Sequence, residues 1–161
     1  MESISRTPTE PRDYAALTGT FAALLGGAAI SARGRERIPA RELAPLSAAT
    51  FALSKLIVHE KVESWMRRPF VEEGTQERRP RGRRLRYAVG ELLTCTRCTG
   101  AWGALALTAL RLHAPRTGQA VTTVLAASAG NDFLQSAFSA LSARAQEADA
   151  GSGPPALRRA A

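Results

Sequence analysis

Residues 14–32 read YAALTGTFAALLGGAAISA, and this segment contains no charged residue. A helix rises about 1.5 Å per residue, so the segment is long enough to cross a hydrocarbon layer roughly 30 Å thick. A cleaved signal peptide is the alternative, but the charges that precede the segment are mixed (Glu10, Arg12 and Asp13) rather than plainly positive. The segment therefore predicts a first membrane-spanning helix, preceded by a flexible arm at residues 1–13.

Three further apolar stretches follow the first, at residues 43–59, 92–112 and 117–143. Apolar residues recur at helical spacing, and none of the stretches alternates as a half-buried strand does. Lys55, Arg97 and Asp132 interrupt them, and a charge at the centre of a membrane helix costs roughly 2.5–3.5 kcal/mol. The stretches are marginal as separate spans and depend on neighbours through small-residue contacts. We predict an all-α fold, a membrane bundle of three to four transmembrane helices within residues 14–143.

The chain is strongly basic, with 22 Lys and Arg residues against 14 Asp and Glu residues. This balance favours an anionic partner, either a lipid surface or nucleic acid. A dense arginine block occupies the polar connection at residues 60–91: Arg78, Arg79, Arg81, Arg83, Arg84 and Arg86. No aromatic platform alternates with these arginines, as it does in single-strand binders, whereas each arginine beside an anionic membrane contributes about 1 kcal/mol. We expect the block to face lipid headgroups.

The distribution of basic residues also predicts an orientation. With four spans, the connection at residues 60–91 lies on the same side as both termini, and that side carries most of the basic residues. The positive-inside rule then predicts a multi-pass cell-membrane protein with cytoplasmic termini, a cytoplasmic basic loop and a disordered tail at residues 144–161. The arginines on the opposite side speak against this orientation: Arg33, Arg35, Arg37, Arg41 and Arg116.

Cys95 and Cys98 form a C-x-x-C motif at the start of the third apolar stretch. Free N–H groups at a helix start favour the thiolate, and the cytosol keeps such thiols reduced. Two thiols supply half of a tetrahedral zinc site, which His59 and Glu60 or a second chain could complete. A redox dithiol normally sits in a thioredoxin-like frame, which this pattern lacks. Structural packing is favoured, with zinc binding and redox chemistry as alternatives.

Asn131 and Asp132 lie in the middle of the fourth stretch. A carboxylate at membrane depth needs a partner, and we expect Lys55 or Arg97 to provide it. A structural ion pair that orients the helices is favoured over a transport role.

Two segments carry a resemblance to a known family: LIVHEKVESWMRRPF at 56–70 and GELLTCTRCTGAW at 90–102. They resemble a family of small bacterial membrane proteins, a domain-of-unknown-function family that has a C-P-x-C-x-G-x-W motif and includes a sporulation-associated member. Thr96 stands in place of the proline. The matching residues are Glu60, Lys61, Arg67, Pro69, Phe70, Cys95, Cys98, Gly100 and Trp102. The resemblance implies a multi-pass membrane protein and no known activity.

These features together predict an integral membrane protein that binds or scaffolds rather than catalyses. Its expected partners are membrane lipids and a second copy of the chain or other membrane proteins, with nucleic acid not expected. No cofactor follows with certainty, and zinc is the one candidate. A membrane thiol oxidoreductase or a zinc-binding protein is the first alternative. A soluble, basic nucleic-acid-binding helical protein is the second.

Overall fold

Four long helices form the body of the fold. The structure is a computed structural model, and it describes residues 8–35, 37–61, 64–74 and 78–152. The long helices are α1 (Pro11–Ser31), α2 (Leu43–His59), α5 (Thr96–His113) and α6 (Pro115–Ser152). The segment between α2 and α5 forms α3 (Ser64–Arg67), strands β1 (Val71–Glu73) and β2 (Arg78–Pro80), and α4 (Leu85–Thr94). The mostly helical architecture confirms the predicted all-α class. The antiparallel pairing of β1 with β2 was not predicted.

Helix α1 is fixed to the rest of the structure at both of its ends. It begins at Pro11, because proline suits the first turn of a helix, where its missing N–H has no intrahelical partner. The Tyr14 hydroxyl donates a hydrogen bond to the Glu91 carboxylate on α4. At the other end, the Ser31 hydroxyl lies 3.0 Å from Nε2 of His113 on α5. Helix α1 therefore runs alongside α4 and α5.

The core of the bundle is built largely from small side chains. Ala49 and Ala52 on α2 and Ala129 on α6 are completely or almost completely buried, and Leu107 on α5 joins them. Helix α2 is central, because it packs against both α5 and α6. Alanine lets helices approach closely but buries little apolar area per residue. The bundle is thus held by close backbone approach rather than by large core side chains.

The long helices alternate in direction, so their ends form two groups. At one end, Arg111 near the end of α5 forms a two-pronged ion pair with Glu42, just before α2, at 2.7 and 2.9 Å. We call this the arginine end, comprising residues 31–35, 37–43 and 111–116. At the other end, His59 Nε2 lies 3.2 Å from the Thr96 hydroxyl, which joins the end of α2 to the start of α5. We call it the thiol end, comprising residues 59–61, 64–74 and 78–98.

Four predicted boundaries differ from the structure. Helix α1 begins at Pro11, within the predicted arm at residues 1–13. The connection at residues 60–91 contains α3, the hairpin and most of α4 instead of one polar loop. The third stretch is interrupted at Cys95, whose backbone is extended, so α5 begins only at Thr96. Helix α6 continues to Ser152, past the predicted end of the bundle at residue 143, because the following alanine-rich segment favours helix. The rest of the predicted arm and tail, residues 1–7 and 153–161, lies outside the described residues.

Within the described part of the chain, one helix, α1, is long and apolar enough to cross a membrane, with 21 residues and a mean hydropathy of 1.4. It is not a core helix, because none of its apolar window is buried. Leu24, Leu25 and Ile30 are at least half exposed. A signal sequence near an N-terminus has the same length and composition. Helix composition therefore supports one candidate span and does not establish the predicted three to four.

Candidate functional site

Two arginines cap the end of α2 at the thiol end. The Arg67 guanidinium, which is fully buried, donates to the carbonyl oxygens of Ile57 and Glu60. Arg78 donates to the two carbonyl oxygens between them, those of Val58 and His59. The last four carbonyls of a helix have no intrahelical partner and carry partial negative charge. All four are satisfied here, so α3 and β2 are fixed to the end of α2.

This cap gives the motif residues around Arg67 a structural role. Arg67 is buried while its neighbour Arg68 is exposed, which distinguishes the two arginines that precede Pro69. The Phe70 carbonyl oxygen accepts the backbone N–H of Arg81 at 2.7 Å, so the segment after the cap enters the hairpin directly. Lys61, another residue of the resemblance, is exposed and lies just after the capped carbonyls.

The members of the arginine block have different neighbours. Arg78 caps α2, and the expected contact of the block with lipid stays a prediction. The Arg84 guanidinium lies 3.8 Å from a carboxylate oxygen of Glu10 and 3.9 Å from one of Asp13. Arg86 donates from Nε to a backbone carbonyl oxygen, that of Pro69, at 2.7 Å. The remaining members are exposed: Arg79, Arg81 and Arg83.

Cys95 is the N-cap residue of α5, and its sulfur accepts the backbone N–H of Cys98 at 3.3 Å. Both cysteines are free; Cys95 is half-buried and Cys98 is exposed. Burial alone would raise the pKa of the Cys95 thiol. Hydrogen bonds from the Cys98 thiol and from the N–H groups of Cys98 and Arg97, together with the Arg97 charge, lower that pKa below its ordinary value. The Cys95 thiol, which lies just outside α5, therefore ionises at a lower pH than an ordinary cysteine thiol.

The predicted zinc ligands come from neighbouring segments without forming a metal cluster. His59 contacts Thr96, the residue after Cys95. Among the residues that the structure describes, no group of three or more His, Cys, Asp or Glu side chains could hold a metal ion. The set of Cys95, Cys98, His59 and Glu60 is thus not assembled within the described part of one chain.

Lys55 and Asp132 form an ion pair between α2 and α6, with Nζ 2.9 Å from Oδ2. The structure thus pairs Asp132 with Lys55, while Arg97 is exposed at the start of α5 and Asn131 is exposed on α6. Beside this pair, Phe51 of α2 stacks on Phe133 of α6, with ring centroids 5.4 Å apart. These contacts fix the register of α2 against α6.

Trp102 and Gly100 face different neighbours of α5. The Trp102 ring packs edge-on against Phe21 of α1, with ring centroids 5.3 Å apart, so it links α5 to α1. A Cβ at Gly100 would contact Ser54 of α2 at 3.9 Å, which is an ordinary van der Waals distance. Helices α5 and α2 would therefore have room for a larger residue than glycine at this position. Trp102 thus contributes to the packing of α5 against α1.

The ion pair of Glu42 with Arg111 was not predicted. The hydrogen bond from Arg111, reinforced by its charge, lowers the pKa of the Glu42 carboxyl below its ordinary value despite the opposing effect of burial. Arg111 was visible in the sequence as a charge near the end of an apolar stretch, but its partner is 69 residues away. No local pattern could have joined the two.

Comparison with known proteins identifies one family. The sequence model of a family described as "Protein of unknown function (DUF1360)" matches residues 45–138. The match includes both segments that carried the resemblance and begins after α1 and the arginine-rich loop that follows it. No curated protein and no solved structure matches the chain. The match supports membership of an uncharacterised family; the motif, the multi-pass nature and the sporulation-associated member stay predictions.

Arg67→Ala should destabilise the protein, because it leaves two carbonyl oxygens at the end of α2 unsatisfied and empties a buried site. We expect the free energy of unfolding to fall by about 2–4 kcal/mol. Arg68→Ala, at the exposed neighbour, should change it by no more than about 0.5 kcal/mol. Thermal unfolding in detergent, followed by circular dichroism, measures both. Equal losses from the two variants would contradict the capping role.

Alkylation of Cys95 by iodoacetamide should be half-maximal at a lower pH than alkylation of an ordinary exposed cysteine, because a lowered pKa yields more thiolate at each pH. Cys98→Ala removes the thiol hydrogen bond and should move the midpoint to higher pH. Cys98→Ser keeps a donor and should move it less. Mass spectrometry of alkylation rate against pH checks this. If neither substitution shifts the midpoint, the Cys98 thiol does not lower the pKa of Cys95.

Proposed function

The chain belongs to the DUF1360 family of proteins of unknown function, and we propose that it is a multi-pass integral membrane protein with a binding or scaffolding role. The observation that carries the proposal is the separation of charge along the bundle. Arginines and their partners gather at the arginine end and at the thiol end, while exposed apolar side chains lie between them.

The lengths of the helices support this proposal. Helices α1, α2 and α5 have 21, 17 and 18 residues, so each is roughly 25–32 Å long, close to the hydrocarbon thickness of about 30 Å. Large apolar residues are exposed between the ends of the bundle, including Leu24, Phe51, Phe133 and Leu134. A monomer in water rarely exposes such a surface, whereas lipid is a favourable solvent for it.

The pairing of charges between the ends supports the same proposal. A charge at membrane depth is expensive unless it pairs with another charge or reaches the interface. Lys55 and Asp132 pair with each other at 2.9 Å, and both are about one-third exposed. Asp132 is the acidic residue within the predicted fourth span. In a bundle assembled in lipid, the Asp132 carboxylate would thus be paired with the Lys55 ammonium group.

We propose that the thiol end lies in the cytoplasm. It exposes Arg79, Arg81 and Arg83, which suit an anionic cytoplasmic leaflet. Trp65 on α3 is 69% exposed, and an exposed indole is favoured at a membrane–water interface. Exposed apolar residues on α6, including Phe138 and Leu141, suit packing against a second copy or another membrane protein. These are contact surfaces, so we propose binding or scaffolding rather than catalysis.

A two-sided labelling experiment tests the multi-pass proposal. In a variant without native cysteines, Arg37→Cys places a thiol at the arginine end; a second variant retains only Cys98, at the thiol end. A membrane-impermeant maleimide should label the first in intact spheroplasts and the second only after permeabilisation. Both variants should stay in the membrane pellet after a carbonate wash. Labelling of both thiols from outside would leave α1 as a single anchor, and release by carbonate would refute membrane integration.

A membrane thiol oxidoreductase is the second candidate, favoured by the position of Cys95 at the start of α5. The Cys95 thiolate would attack a substrate disulfide, forming a mixed disulfide and releasing one substrate thiolate. Cys98 would then attack the sulfur of Cys95, releasing the second substrate thiolate and leaving a Cys95–Cys98 disulfide. The substrate is reduced by two electrons and the dithiol is oxidised by two.

Cys98→Ser should therefore trap a mixed disulfide on Cys95, because the second displacement is blocked. Non-reducing electrophoresis of membranes from cells treated with acid at harvest would reveal the adduct, and reduction should remove it. Cys95→Ser is the control and should trap none. Adduct formation that is equal in the two variants would rule out the assigned order of attack.

A further inference from the structure

A basic cavity opens at the arginine end of the bundle and has a volume of about 290 Å³. Arg35, Arg37 and Arg41, from the loop between α1 and α2, line it together with Arg111. Among the described residues of the cavity wall, one is acidic, Glu42. Arg111 donates to both carboxylate oxygens of Glu42. Positive charge therefore exceeds negative charge in the cavity, which favours an anionic ligand. Guanidinium groups suit phosphate oxygens in particular.

Arg35 is held at this cavity by backbone groups. Its Nε donates to the carbonyl oxygen of Ser31 at 2.9 Å, and a terminal nitrogen donates to that of Leu112 at 3.2 Å. Both acceptors are neutral carbonyls, so they position the guanidinium without cancelling its charge. The contacts also join the end of α1 to the end of α5.

An apolar groove adjoins the cavity and runs between α1 and α5, with a volume of about 440 Å³. Small and aliphatic side chains line it, among them Ala28, Ala104 and Leu105. Leu112 lines both the groove and the cavity, so the two spaces adjoin at this side chain. From Leu112 to Ala101 the groove follows α5 for about 16 Å. That length is close to the depth of one leaflet, half of a hydrocarbon core roughly 30 Å thick.

We propose that the cavity and the groove together bind one anionic phospholipid. The headgroup phosphate contacts Arg35, Arg37 and Arg41, and one acyl chain lies in the groove between α1 and α5. Charge complementarity selects the headgroup, and the continuity of the two spaces at Leu112 selects a ligand with an anionic head and an apolar tail. The inference rests on the proposed membrane location and adds a ligand to it.

The proposed site also gives a role to the arginines that oppose the predicted orientation. The positive-inside rule disfavours arginines at this end, yet three of them line the cavity. Binding of an anionic lipid would offset their charge. Helix α1 and the arginine loop lie outside the segment that matches the family, residues 45–138. One wall of the site is therefore contributed by the part of this chain that the family match does not include.

Trp102 provides a direct readout of the groove, because its ring packs against Phe21, which lines the groove. Trp65→Phe leaves Trp102 as the only tryptophan. The full chain in neutral detergent micelles is titrated with phosphatidylglycerol or phosphatidylcholine carrying brominated acyl chains, and quenching of Trp102 fluorescence is measured. Half-maximal quenching should require at least fivefold less phosphatidylglycerol than phosphatidylcholine, because each arginine beside an anionic headgroup contributes about 1 kcal/mol, which is about fivefold in affinity.

Matched variants separate the cavity from general surface charge. Arg41→Gln should remove most of the preference for phosphatidylglycerol. Arg116→Gln removes an arginine at the same end that does not line the cavity, and should keep the preference. Ala104→Leu should fill the groove and weaken quenching by both lipids. Ala106→Leu, at an exposed position of α5 outside the groove, should not.

Equal quenching by the two lipids, or a preference that Arg41→Gln leaves unchanged, overturns the inference. Excess inorganic phosphate should not reverse quenching by phosphatidylglycerol; reversal would assign the cavity to a soluble phosphate compound and overturn the lipid assignment. Failure of the proposed function is recognised separately, by release of the protein in the carbonate wash. Protein that stays in the membrane but lacks the lipid preference overturns this inference alone.

Discussion

The four carbonyl groups at the end of α2 need hydrogen-bond donors, and the arrangement of the thiol end depends on how they are supplied. A helix cannot satisfy them itself, and leaving such groups buried and unpaired costs about 1–3 kcal/mol each. Arg67 and Arg78 supply all the donors, from two different elements. The cap therefore fixes α3 and the hairpin to α2, and α4 packs on the hairpin closely enough that Gly90 has no room for a Cβ beside Phe70. The connection between α2 and α5 folds against the bundle because its arginines bind carbonyl oxygens of α2 that would otherwise lack a hydrogen-bond donor.

The features that could be predicted from the sequence are those with a local cause. The uncharged run of α1 and the spacing of apolar residues in α2 identify helices without knowledge of any partner. The need of Asp132 for a cation also followed from its apolar surroundings. The cap on α2 and the ion pair of Glu42 with Arg111 could not be predicted, because their partners are far apart in the chain. The hairpin was missed for a different reason: its three-residue strands are too short to show an alternating pattern.

The C-x-x-C motif shows that a structural and a reactive role need not exclude each other. Cys95 ends the extended segment after α4 and starts α5, and its sulfur takes the N-cap position that a serine or threonine oxygen usually occupies. The N–H groups that complete the helix start are the same groups that favour the thiolate. The geometry of the helix start thus favours the Cys95 thiolate without a thioredoxin-like frame. The resemblance motif has a proline where this chain has Thr96, whose hydroxyl contacts His59, so the same position here joins α5 to α2.

Arginines at both ends of the bundle donate to carbonyl groups at helix ends, and this bears on the proposed lipid site. Orientation is set during insertion, before the helices pack, so Arg67 and Arg78 count as basic residues at that stage. After folding, both donate to the carbonyls of α2. At the arginine end, Arg111 is engaged by Glu42, while Arg35 donates to the carbonyl oxygens of Ser31 and Leu112. A carbonyl carries no formal charge, so these contacts position the guanidinium groups and leave their positive charge in place. A retained positive charge beside an apolar groove is best balanced by an anionic group that has an apolar tail.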